Sequence, residues 1–449
     1  MQTLIHCKSI LTMNAERRVV RGGGILISEG RIRQVLSASE LQNSRGFAGE
    51  VVDASHLVAI PGFIQTHIHL CQTLFRGLAD DLELLDWLRL KIFPFEAAHS
   101  ASSIRASAML GIAELLRSGT TTIMDMGTIE HEEEIVAAID EMGIRAFVGK
   151  AMMDINDQYS RLKEPTEQSL MTSRELAERY HDRADGRIRY AFAPRFVLSC
   201  SERLLRETFE MVQSLEGALF HTHAAENKTE MQAVRTRCGM GNIEYFGSIG
   251  ILDSRSCLAH CIWLNEQEIE MMAERSAKVL HCPSSNLKLG SGVADVPAYA
   301  AKNITVSLGA DGAPCNNNLD MFSEMRLAAL IQKPKHGPRS MDARTVFEMA
   351  TIGGAKALGI DKEVGSIEAG KKADIALLDL DSVWNSLAGD ESADPYSTIV
   401  YSCDPRNVDS VMVGGAWRVR DGELLHYDER VLTSCGRQEL KRLLERVEL

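Results

Sequence analysis

Histidines and acids cluster at the ends of several apolar runs in this chain. HIHLCQTLFRG begins at His67, and His67 and His69, one residue apart, share a face of an extended segment because strand side chains alternate. HTHAAE repeats the spacing with His221 and His223 and adds Glu226; LAHC brings His260, VLHC brings His281 and LGAD brings Asp311. Imidazoles with a carboxylate suit a divalent ion such as Zn2+ or Fe2+, and a carboxylate left over can carry protons. Taken alone, an HxH pair is more often two hydrogen-bonded histidines than a metal site. The case for a metal rests on how many runs end this way.

Those runs must be strands. GFIQTH, TTTIMD, IRAFVGKAM, IRYAFAPR, ALFHTHA, SCLAHC, AKVLHCP and ITVSLGAD are short and β-rich, and helical stretches such as SIRASAMLGIAELLRSG and HEEEIVAAIDEMG separate them. Eight strand–helix units predict a closed (β/α)8 barrel over residues 58–361, with chemistry at the carboxyl ends of its strands. In that frame five of the eight strands end in metal-type or acid–base side chains, where a buried core favours apolar ones. His67 and His69 are therefore expected to hold a divalent metal with help from other strands. Residues 1–57 and 362–430 are strand-rich, with Gly and Asp-Gly turn signals, and predict a small sandwich-like β domain built from both termini. A C-terminal helix is expected over 431–449.

Composition narrows the partners. The 449 residues are 45% hydrophobic and 25% charged, ordinary for a globular chain with a large core. A net charge of -13 without a basic block argues against nucleic acid and anionic membrane surfaces and favours small-molecule ligands. The start MQTLIHCKSILTM has no basic leader and no unbroken apolar run, so the expectation is a soluble, cytoplasmic protein. The 10 cysteines include no CxxC pair and are expected to be reduced core thiols.

PGFIQTHIH, HTHAAE, LAHC, HCPSSNLKLGSG, LGADGAPCNNNLDMF and SIEAGKKADIALLD, in that order, resemble the amidohydrolase superfamily, specifically its metal-dependent aminohydrolase branch. The resemblance implies metal ligands His67, His69, His223 and Asp311. It also implies a proton-shuttling Glu226, a water-orienting His260 and a pocket-lining His281. His221 falls outside the ligand set and is expected to be structural. Superfamily members with two metals carry a lysine at the end of the fourth strand; here Pro194 and Arg195 stand there, which implies one metal. A homo-oligomer, dimer or tetramer, is expected.

The substrate signals divide. RAFVGKAMMDIND and APRFVLSCSE resemble guanine deaminases, whose purine contacts correspond to Gln72, Arg195 and Phe196. TLFRGLADDLELLDWL and GADGAPCNNNLDMFSEMRLAALIQK resemble deaminases of 5'-deoxyadenosine, methylthioadenosine and S-adenosylhomocysteine, in which residues matching Trp87 and Glu96 enclose the nucleoside and the carboxylate holds ribose hydroxyls. The longer matches favour a 6-aminopurine nucleoside. Guanine is the first alternative and an s-triazine, losing an amino or chloro group, the second; a non-enzymatic scaffold is disfavoured by the intact ligand set.

Overall fold

The computed structural model describes residues 2–42, 47–156, 159–385 and 394–448. Residues 1, 43–46 and 386–393 of the expected terminal domain, residues 157–158 of the expected barrel, and residue 449 of the expected C-terminal helix lie outside them.

The eight barrel strands form as the sequence predicts. In chain order they are Phe63–His69, Thr120–Met126, Arg145–Gly149 continued by Ala151–Met152, Ile188–Pro194, Leu219–Ala224, Ser256–His260, Lys278–His281, and a split eighth strand. Neighbours pair in parallel, and the split strand closes the ring. Val306–Leu308 pairs with the seventh strand, whereas Asp311–Gly312 pairs with the first. The break lets the chain cross from one neighbour to the other, and Gly309 makes it fit: a Cβ there would lie 2.6 Å from the His67 carbonyl oxygen. The strands are buried, and apolar side chains are mixed with polar ones such as Gln65, Thr66, Thr120 and Thr122.

Helices on the outside follow local signals. Ala101–Arg117 starts after Ser100, which shares a reciprocal capping arrangement with Ser103, and Glu132–Met142 ends at Gly143 with φ of 77°. The outer helix Glu429–Leu444 packs on Ala101–Arg117.

A second sheet takes strands from both ends of the chain, among them Gln2–Leu11, Gly24–Ser28, Arg31–Leu36 and Glu50–Pro61 from the start, and Ile375–Leu378, Val408–Val413 and Ala416–Arg420 from the end. Its nine strands are hydrogen-bonded as one continuous sheet, and Glu50–Pro61, at its centre, runs almost directly into the first barrel strand. The tight Asp421-Gly422 turn has both residues in the left-handed region, which matches the twist of the flanking strands. Its core of Ile5, Ile10, Ile25, Ile27, Ile375 and Met412 is separate from that of the barrel. Among the described residues, no helix is long and apolar enough to cross a membrane.

Candidate active site

Register places the polar strand ends together. Asp311 pairs with Ile68 and Gly312 with His69, so the end of the split eighth strand lies directly beside the HxH of the first. Asp311 Oδ1 is 3.4 Å from His67 Nε2 and 3.3 Å from His69 Nε2. Ligand-type atoms of His67, His69 and His223 lie within 4.8 Å of one another, as do those of His67, His260 and Asp311. The rings of His69, His223 and His260 stack as near-parallel plates 5.5 Å apart, and His67 presents its edge to all three.

Each ring is held from behind. His69 Nδ1 donates to the Met126 carbonyl at 2.8 Å and His223 Nδ1 to the Arg195 carbonyl at 2.7 Å, both at the end of the neighbouring strand. His260 Nδ1 donates to Asn286 Oδ1 at 2.8 Å. A carbonyl only accepts, so in all three rings the bare lone pair is on Nε2, facing the cluster. His67 Nδ1 instead meets His221 Nε2 at 2.7 Å. His67 Nε2 is buried and has no hydrogen-bond partner. A buried nitrogen without a partner, among imidazoles and one carboxylate, is a donor set that fits a divalent cation.

Electrostatics agree with neutral imidazoles around one anion. Burial, reinforced by His67, pulls His69 down to about 4, and burial does the same to His260. Burial would raise Asp311, but the His67 ring beside it outweighs that and holds the carboxyl well below its usual range. Glu226 moves the other way: burial, then the charges of Asp311 and Glu230, push it well above the ordinary carboxyl value. Two carboxyls set apart in this way can serve different roles, one as a fixed anion and one as a proton carrier. Glu226 Oε2 lies 3.5 Å from His260 Nε2. His260 and Asp311 have φ of 71° and 63°, a left-handed backbone that costs non-glycine residues ~1–3 kcal/mol each and clusters at functional sites.

A partly enclosed cavity lies over the cluster. Of the residues predicted from sequence, His69, Gln72, Trp87, Arg195, Phe196, His223, Glu226, His260 and Asp311 line it. Buried Gln72 Oε1 and Trp87 Nε1 have no protein partner. Two of the expected substrate-binding residues lie outside the lining of this cavity. Glu96 does not border the cavity: its oxygens accept from Arg195 at 2.6 and 3.0 Å and from Gln72 Nε2 at 2.8 Å, so it stands behind both. His281 is not among the lining residues either, and neither of its buried ring nitrogens has a partner. Lys150, at the end of the third strand, is tied to Glu164 and the Ala151 carbonyl.

Sequence reasoning missed Ser285, whose hydroxyl donates to Asp311 Oδ2 at 2.6 Å, Asn286 behind His260, and Glu230, which lines the cavity and accepts from the Glu226 backbone at 3.0 Å. The SSN that follows HCP carries the first two, at a spacing that by itself names no partner.

Residues 58–418 match the Amidohydrolase family. A 5'-deoxyadenosine deaminase of Methanothermobacter thermautotrophicus is 40% identical over 92% of both chains. A 5-methylthioadenosine/S-adenosylhomocysteine deaminase of Thermodesulfovibrio yellowstonii is 36% identical over 95% of both. The crystal structure of an adenosine deaminase from Xanthomonas campestris with bound zinc superposes with a TM-score of 0.91 at 29% identity, covering 99% of this chain and 98% of that one.

Proposed function

Since the chain belongs to the amidohydrolase family, we propose that it is a metal-dependent deaminase of a 6-aminopurine nucleoside of the 5'-deoxyadenosine, methylthioadenosine or S-adenosylhomocysteine type. The observation that carries this reading is the placement of Glu226, a carboxyl poised to hold a proton, beside His260 and the His–Asp cluster in one cavity wall. The relatives named for these nucleosides support the substrate class.

His67, His69, His223 and Asp311 would hold the metal, with zinc the best fit to three imidazoles and one carboxylate. When bound, the ion supplies Lewis acidity, which makes water nucleophilic at neutral pH. The side chains do the rest. Glu226 takes a proton from the attacking water and delivers it to the ring nitrogen next to the amino-bearing carbon; a second transfer to the amino group lets it leave as ammonia. His260, fixed by Asn286, orients the water. The water oxygen thus replaces the amino nitrogen on the ring. Trp87, Phe196, Leu84 and Leu88 supply apolar walls for a purine, while the free Gln72 carbonyl and Trp87 N–H offer one acceptor and one donor to its edge.

Arg195 bears on the guanine alternative. Two of its N–H groups are spent on Glu96 in a closed fork, so it does not present that fork to a purine carbonyl. On this reading Glu96 acts by holding Arg195 and Gln72 in place, in contrast to the ribose contact that the resemblance implies.

Ammonia release with guanine, adenosine, 5'-deoxyadenosine, methylthioadenosine, S-adenosylhomocysteine and melamine tests the assignment. The expected result is the highest kcat/KM on one of the three 5'-modified nucleosides. A clear preference for guanine or melamine would overturn it.

A further inference from the structure

Glu226 enters the cavity from a short, strained turn. Ala225, immediately before it, has φ of 50°, a left-handed backbone that disfavours any residue with a Cβ and persists only where the surroundings hold it. Here the peptide group between the two residues is held at both of its polar ends. The Ala225 carbonyl accepts from the Ile262 N–H at 2.9 Å and from the Trp263 N–H at 3.2 Å, both just beyond the sixth strand. The Glu226 N–H, at the other end of the same peptide, donates to Glu230 Oε2 at 3.0 Å. Two of these three bonds join backbone to backbone. The third depends on a side chain.

Glu230 is the third residue of the helix Lys228–Cys238, a place from which glutamate commonly caps the first turn. It does so while buried, and its second oxygen, Oε1, accepts from Nδ2 of Asn242, a fully buried residue that begins the next helix, at 2.6 Å. Burying a carboxyl is costly unless its oxygens are bonded. One oxygen is therefore tied to the following helix and the other to the peptide that aims Glu226.

We propose that Glu230 is a positioning residue: by anchoring the Ala225–Glu226 peptide to the helices behind it, it directs the Glu226 carboxyl to its place 3.5 Å from His260 Nε2. The inference rests on Glu226 being the proton carrier. Glu230 also borders the cavity, so direct contact with the substrate is the competing role. Reach and charge can be separated. Glu230→Asp keeps the charge but is one methylene too short for the Glu226 N–H. Glu230→Gln loses the charge and keeps the reach: its amide oxygen can take the Glu226 N–H, and its NH2 can face Asn242 Oδ1, which has no partner among the described residues.

The test compares these two variants in the intact, zinc-loaded protein with 5'-deoxyadenosine. Glu230→Asp should lose ~10²-fold in kcat, the usual cost of misplacing a reacting group by about 1 Å, with KM and zinc content unchanged. Glu230→Gln should keep most of the kcat. Crystal structures give a second measure that does not depend on turnover: the Glu226 carboxyl should leave His260 in Glu230→Asp and stay beside it in Glu230→Gln. Full kcat in Glu230→Asp, an equal loss in both variants, or a loss confined to KM overturns the proposal, the last in favour of substrate contact. Glu226→Gln separates the two readings: if it turns over as the unmodified protein does, the proton-carrier assignment itself fails.

Discussion

Among the described residues, two buried arginine–carboxylate pairs, each joined by two hydrogen bonds, stand at opposite ends of the barrel. Arg145, the first residue of the third strand, holds Asp374 at 2.8 and 3.1 Å, and Arg195, just beyond the fourth strand, holds Glu96 at 2.6 and 3.0 Å. At the amino end, Asp374 also accepts from the Gly414 backbone and sits immediately before a strand of the terminal sheet. That pair is a seam between sheet and barrel. At the carboxyl end, Glu96 also accepts from Gln72, whose carbonyl is left free at the cavity wall, and Arg195 itself lines the cavity. The same chemistry is structural at one end and faces the candidate reaction site at the other, because the loops beyond the carboxyl ends of the strands enclose the cavity.

If the two ends divide the work in this way, changes at the carboxyl end should remove activity before they remove the fold. The largest effect is expected from Asp311→Ala: turnover should fall to background and bound metal should be lost, while the far-ultraviolet circular dichroism of the barrel is retained. Retained turnover in metal-depleted buffer would break the comparison at its strongest point. Glu226→Gln should keep the metal, measured by elemental analysis, and lose ~10²–10⁴-fold in kcat.

The seam should show the reverse pattern. Asp374→Ala leaves the Arg145 guanidinium buried and unpaired, so denaturant unfolding should show a loss of ~3–5 kcal/mol. The remaining folded molecules should keep their kcat/KM. A specific loss of kcat would show that the two ends are coupled.

Glu96→Gln sharpens the comparison with the smallest expected effect. It keeps the shape but removes the charge facing Arg195, and should cost ~1–3 kcal/mol, divided between stability and a raised KM. Acid provides the same test without mutation. Burial raises Glu96, but Arg195 dominates and its pKa is lowered from 4.5. A depressed carboxyl contributes its stability above 4.5 and loses it as the pH falls through the folded-state value. Glu96→Gln should therefore flatten the dependence of stability on pH below that point and leave it unchanged above.

The eight strands, the helices between them and the histidines and acids at the strand ends were legible along the chain, because each depends on local properties: alternation of side chains, β-branched runs, and helix-ending glycines such as Gly143. Those signals also put His67 beside His69 and His221 beside His223 on common faces. Which nitrogen each ring leaves bare was not legible. It depends on whether a carbonyl from a neighbouring strand, an asparagine from the next helix or an imidazole from across the barrel lies behind it, and closure of the barrel decides that. The same holds for Glu96. Read along the chain it is an acid near a tryptophan; in the folded protein it meets Arg195, 99 positions away, and the demand that a buried charge be paired takes it off the cavity wall. Sequence determines which groups are delivered to the end of the barrel. The tertiary structure decides which of them face each other, because hydrogen-bond direction and ion pairing depend on distances of a few tenths of an ångström between strands far apart in the chain.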